Sequence, residues 1–108
     1  REAIKRDPSR QKYHTDLCMN LRKLKRFTEA LVPCEEAVRL DAKYTEGYYE
    51  LGLLYRDMRD QANLEKKAVA ARGFEQKAKE QVTKLEVLDP EEAQKLSDVI
   101  FAPAKPKP

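Results

Sequence analysis

The residue types that most readily do chemistry are sparse in this chain. His14 is the single histidine, and Cys18 and Cys34 are the two cysteines. One histidine cannot make a histidine pair or a histidine-based metal cluster, and no Cys–His pairing at catalytic spacing is visible. Phosphate binding by backbone amides needs a glycine-rich loop; the three glycines, Gly47, Gly52 and Gly73, stand far apart. The 19 acidic and 22 basic residues alternate along polar stretches and are not grouped as carboxylate pairs for acid–base work. No catalytic, cofactor-binding or metal-ligating residue is identified. A protein that is not an enzyme and carries no cofactor is expected.

The elements behind these residues read as helices. Charged residues make up 38% of the 108-residue chain, against about 25% in an average domain. The net charge is only +3, and no like-charged run is long enough to bind nucleic acid or a membrane surface. Uninterrupted apolar runs reach only about four residues, too short to span a bilayer. With few glycines and no sustained alternation, an all-α domain is expected. The stretch EGYYELGLLY (residues 46–55) sets Tyr48, Leu51 and Tyr55 on one helical stripe and places Gly52 inside it. Glycine costs about 1 kcal/mol against alanine within a helix, so a close approach at Gly52 is expected.

A period underlies the pattern. Shifting the sequence by 34 residues carries Ala3 onto Ala37, Asp7 onto Asp41, His14 onto Tyr48, Leu17 onto Leu51, Cys18 onto Gly52 and Leu21 onto Tyr55. A period of this length is that of a helix–turn–helix solenoid. The unit at residues 11–44, with His14, Leu17, Cys18, Leu21, Ala30, Cys34, Ala37 and Ala42 at the signature positions, resembles a tetratricopeptide repeat. The next unit starts at Thr45 and repeats the match with Tyr48, Leu51, Gly52 and Tyr55; residues 1–10 resemble the end of an upstream unit. Cys34 stands where the family has an aromatic and Ala42 where it has proline. The chain opens in mid-element without an initiator methionine, so a C-terminal piece of a longer repeat protein is expected. The resemblance implies an antiparallel helix-hairpin solenoid. It places Cys18, Gly52 and their partners where the two helices of a hairpin cross closely. Cys18 and Cys34 then face the inside of the helix pair. They are read as buried free thiols, with a disulfide as the alternative, one that would imply an oxidising compartment. The compartment stays open between cytoplasm and bacterial periplasm.

After Tyr55 the period slips. Asp89 follows Asp41 by 48 residues, so the unit at residues 45–90 is 14 residues too long. Leu64, Ala68, Ala71, Phe74, Ala78, Val82 and Leu85 form an apolar stripe that crosses Gly73 unbroken. A single long second helix over about 62–88, starting near Asn63, is therefore favoured. The other arrangement lengthens both helices and turns near Ala70–Gly73. The small residues of the stripe could receive another helix, although a unit packed on itself is the simpler expectation. Residues 90–101 read as a capping helix, with Asp89 as N-cap, Pro90 at the first turn and Glu92 completing a capping box. The Pro/Lys tail 102–108 reads as extended and mobile, either plain solvated chain or a ligand for another domain.

What remains is surface. The resemblance implies a concave groove lined by Lys12, Thr15, Met19 and Arg22 from one first helix, and by Glu46, Tyr49, Leu53 and Arg56 from the next. Met19, Tyr49 and Leu53 would form an apolar strip with Lys12, Arg22 and Arg56 as basic rims, suited to a peptide or helix carrying some acidic groups. Family members that clamp acidic C-terminal tails carry Lys, Asn and Asn where this chain has Thr15, Met19 and Glu50, so that clamp is not expected. A protein-interaction module is the expected function. Self-association through the long helix 62–88, or regulation of an attached domain, is the alternative.

Overall fold

The computed structural model describes residues 8–101. The expectations for the upstream stub before Pro8 and for the tail 102–108 lie outside the described residues. Within them the chain is all-α. Its five helices are α1 (Pro8–Lys23), α2 (Phe27–Leu40), α3 (Thr45–Leu64), α4 (Ala68–Leu88) and α5 (Pro90–Phe101). They pack as sequential antiparallel pairs, α1 on α2 and α3 on α4, with α5 laid against both α3 and α4. This is the expected helix-hairpin arrangement.

The core runs through both hairpins. Cys18, Ala30 and Cys34 from the first pair join Tyr48, Leu51, Leu54 and Tyr55 of α3, Ala78, Val82 and Leu85 of α4, and Ala93, Leu96 and Ile100 of α5. The apolar residues that α1 and α2 bury completely are small, Cys18, Ala30, Cys34 and Ala37. Cys18 and Cys34, read above as free thiols, are instead joined in a disulfide. The correction has a geometric reason. The two helices hold the residues at a Cα–Cα distance of 5.3 Å, inside the range a disulfide needs. The bond also bears on α2, which continues unbroken through Pro33. An interior proline removes a helical hydrogen bond and costs about 3 kcal/mol. Pro33 is buried, and Cys34 beside it is fixed to α1, so packing and the crosslink outweigh that penalty.

The enlarged unit lengthens both helices, as in the second arrangement considered from sequence, but turns earlier than Ala70–Gly73. The expected helix 62–88 is divided: α3 extends to Leu64, α4 begins at Ala68, and the turn lies at residues 65–67. Lys66 has a left-handed backbone (φ 61°), its amide donates to Asn63 O (3.0 Å), and the Lys67 amide reaches Ala62 O (2.8 Å). The first hairpin turns in the same way: Lys25 has φ 65°, its amide donates to Arg22 O (2.9 Å), and the Arg26 amide to Leu21 O (2.9 Å). Both are Schellman terminations with lysine where glycine is usual. Lys66 follows Lys25 by 41 residues, seven more than the period, and α4 has 21 residues against 14 in α2. The insertion is thus shared equally, seven residues in each arm. The stripe gave no warning because Ala71, Ala78, Val82 and Leu85 face the core while Leu64 and Ala68, on either side of the turn, are exposed. Of the small residues that could have received another helix, Ala71 and Ala78 are used within the protein's own core.

A left-handed backbone costs a non-glycine residue about 1–2 kcal/mol. Lys66→Gly is therefore expected to stabilise the protein by about 0.5–1 kcal/mol, read as a higher urea midpoint. A lower midpoint would contradict the turn described here.

The close approach at Gly52 is real, but its partner differs from the one expected. A Cβ there would lie 2.6 Å from Leu96 Cδ2 of α5, so the nearest neighbour is the capping helix. Gly47 plays the comparable part between the two units, where a Cβ would meet Val38 Cγ1 of α2 at 2.7 Å. At the start of α5, Asp89 Oδ1 accepts the Glu92 amide (3.2 Å), the expected cap, but the box is not closed, because the Asp89 amide donates to Leu85 O (2.6 Å) and Glu92 pairs with Lys95. At its other end Arg59 of α3 donates to Ile100 O (2.9 Å), and Ala93, Leu96 and Ile100 are buried while Val99 is exposed.

Candidate functional site

α1, α3 and the start of α5 surround one concave groove of about 530 Å³. Its walls are Lys12, Thr15, Asp16 and Met19 from α1, Thr45, Glu46, Tyr49 and Glu50 from α3, and Asp89 and Glu92 at the start of α5. The helical period explains the selection. Residues 12, 15, 16 and 19 fall on one face of α1, and 45, 46, 49 and 50 on the matching face of α3.

Of the eight residues expected here, the structure brings Lys12, Thr15, Met19, Glu46 and Tyr49 together. Met19 and Tyr49 are half-buried and supply apolar surface. Thr15 contributes little of its own, since it is 4% exposed. Its hydroxyl lies 3.0 Å from Lys12 O and 3.3 Å from the Tyr44 hydroxyl, which donates to Glu46 Oε1 (2.7 Å). Burial, chiefly, pushes the Tyr44 phenol up to about 12, so this link between α1 and α3 stays protonated across the ordinary pH range. Leu53 lies outside the groove, partly buried against the core.

Of the basic rim expected from Lys12, Arg22 and Arg56, only Lys12 stands at the groove. Arg22 Nη1 is 3.0 Å from Asp57 Oδ2 and its Nη2 is 3.7 Å from Glu50 Oε1. Arg56 Nη2 binds Asp57 Oδ1 at 2.7 Å. Lys12 Nζ stands 3.5 Å from Asp16 Oδ1. Both arginines are drawn into an α1–α3 charge network. Arg22 lines a separate recess of about 320 Å³ with Phe27, Asp57, Asp60 and Leu64. Sequence reasoning missed Asp16, Thr45, Glu50, Asp89 and Glu92 as lining residues. With them the groove carries five carboxylates and one lysine.

Glu50 is the most confined of these carboxylates. Burial is the main cause that raises its carboxyl above the ordinary value of 4.5; Arg22 and Lys23 oppose the shift, and Glu46 and Asp16 reinforce it. The folded chain then holds this proton more tightly than the unfolded chain does. Its contribution to stability is fully present below about pH 4.5 and is lost as pH rises through the raised value. Glu50→Gln removes that loss, so the variant's urea midpoint should decline less than the parent's between about pH 5 and about pH 7. Parallel curves would show that Glu50 titrates normally.

Among the described residues, no group of three or more His, Cys, Asp or Glu side chains could hold a metal ion, and no helix is long and apolar enough to cross a membrane.

Over 47 residues, 44% of this chain, the sequence is 40% identical to stress-induced-phosphoprotein 1 of Caenorhabditis elegans, a tetratricopeptide-repeat protein. The match covers 15% of that protein's length. No protein-family model and no solved structure matches the chain.

Proposed function

We propose that this chain is a non-enzymatic protein-interaction module whose docking surface is the concave groove of α1, α3 and α5. The observation that carries the reading is that three successive odd-numbered helices turn one face each toward a single open groove of about 530 Å³, with Met19 and Tyr49 in its walls. Half-buried aromatic and thioether groups in a concavity are what a peptide or helix uses as anchors. The partial likeness to a tetratricopeptide-repeat protein supports protein partners in the same way.

A photo-crosslinking side chain placed at Lys12 tests this in the intact protein. A discrete crosslinked partner is expected, lost with Tyr49→Ala and absent when the probe replaces Val87, which is 84% exposed and outside the groove. Equal capture from both positions would remove the groove from consideration.

Self-association through the long hairpin is the second reading. Its support is the tip, where Leu64 and Val69 are 79% and 76% exposed. A concentration-independent monomer by sedimentation would end that reading.

A further inference from the structure

The groove's charge is opposite to that of the chain. The protein carries +3, yet five carboxylates from three helices, Asp16, Glu46, Glu50, Asp89 and Glu92, line the groove against the single ammonium of Lys12. Cations stand beside three of the five, but Arg22 is shared with Asp57, and among the described residues no cation lies within ion-pair distance of Glu46 or Asp89. Lys12 lies by Asp16, Arg22 bridges Glu50 and Asp57 with only 13% of its side chain exposed, and Arg56 is held by Asp57. Lys95 approaches Glu92 at 3.2 Å from outside the lining. Glu46 receives a neutral hydroxyl, and Asp89 Oδ1 a backbone amide. The potential in the groove is therefore negative, and its apolar surface is supplied by Met19 and Tyr49.

Resting on the reading of this groove as the docking surface, we propose that its occupant is an extended segment of a partner protein carrying lysine or arginine at alternate positions with small apolar residues between. The spacing follows from α3. Glu46 and Glu50 are four residues apart, so their Cβ atoms are about 6 Å apart on the wall that α3 gives the groove. Alternate side chains of an extended peptide are separated by about 6.6 Å. Two successive cationic side chains can thus meet the two glutamates while the residues between them lie toward Tyr49 and Met19. A cation brought beside Glu50 also relieves a carboxylate that burial has left with a single, long ion pair to Arg22. An acidic segment meets the opposite field and is excluded, because like charges brought into one confined site repel.

The test uses two fluorescein-labelled nonapeptides of identical apolar residues, one with Lys and Arg at the alternate positions and the other with Glu there. Binding to the whole chain is read by anisotropy at about 50 mM and about 150 mM salt. The basic peptide should bind about tenfold more tightly than the acidic one and weaken at the higher salt. Asp16→Asn/Glu46→Gln, which keeps size and helix propensity, should weaken the basic peptide several-fold, and circular dichroism melts confirm that the variant is folded. Equal or tighter binding of the acidic peptide, lost with Tyr49→Ala, overturns the charge preference and leaves the docking reading standing. Basic-peptide binding unchanged by the isosteric pair overturns the proposed location. Binding of neither peptide overturns both the charge preference and the docking reading. Self-association abolished by Glu46→Lys assigns the groove to a second copy and overturns the proposal as well.

Discussion

Alanine at both Cys18 and Cys34 lowers the stability of this protein by about 3 kcal/mol, the loop-closure contribution expected for a crosslink 16 residues apart. For a domain of this size that is a fall in Tm of roughly 10–20 °C. The effect is large because the bond closes the first hairpin. The small residues Cys18, Ala30, Cys34 and Ala37 of α1 and α2 are all fully buried. Each removes little apolar area from water, so the crosslink adds stability that their packing alone does not supply. Reductant added to the parent protein isolates the bond, since the alanine variant also loses the packing of two sulfurs. Reduced parent and alanine variant should melt within a few degrees of each other, both well below the oxidised parent. A melt indifferent to reductant would show that the thiols are not joined.

The second large effect lies at Gly52. A methyl group there would sit 2.6 Å and 2.9 Å from the two terminal carbons of Leu96, which is itself completely buried. Alanine should favour the helix by about 1 kcal/mol. The clash opposes it, because overpacking a filled core costs about 1–3 kcal/mol and Leu96 has no solvent to retreat into. Gly52→Ala is expected to destabilise, and Leu96→Ala to cost about 2–5 kcal/mol alone. In combination the two should be less harmful than their sum by about 1 kcal/mol or more, since each removes the neighbour that the other conflicts with. Strict additivity in urea denaturation would mean that α5 does not seat against Gly52.

Much of the architecture was legible because it is periodic. The 34-residue shift, the apolar stripes and the Asp89–Pro90 helix start are local signals, and each follows from helical geometry. The turn of the first hairpin followed from the period, but that of the enlarged hairpin was misplaced, and neither left-handed residue was marked. Sequence reasoning looks for glycine at a left-handed position, and here the glycine nearby, Gly73, sits in mid-helix with open space around it. Lys25 and Lys66 hold the left-handed positions, and lysine also belongs in helices, so it does not announce a turn. The disulfide was one of two open readings, because residue types alone do not say how near two helices stand. In the groove, Lys12, Thr15, Met19, Glu46 and Tyr49 follow from helix periodicity. The fates of Arg22 and Arg56 do not. They depend on Asp57, one helix face away, and on which charge reaches which partner. Asp89 and Glu92 reach the groove only because α5 packs beside α3, a tertiary fact with no local mark.

The equal division of the insertion between α3 and α4 has a mechanical meaning. Seven residues are close to two whole turns, about 10 Å of rise, so each arm returns its side chains to nearly the same angle and merely displaces the tip outward. The hairpin can telescope. Heptads added or removed in matched pairs beside residues 65–67 would change how far Leu64 and Val69 reach from the body, while the root of the hairpin, where Tyr48, Gly52 and Leu96 meet, would be unaware of the change. Reach is thereby uncoupled from stacking, and it can drift or be selected without disturbing the neighbouring units.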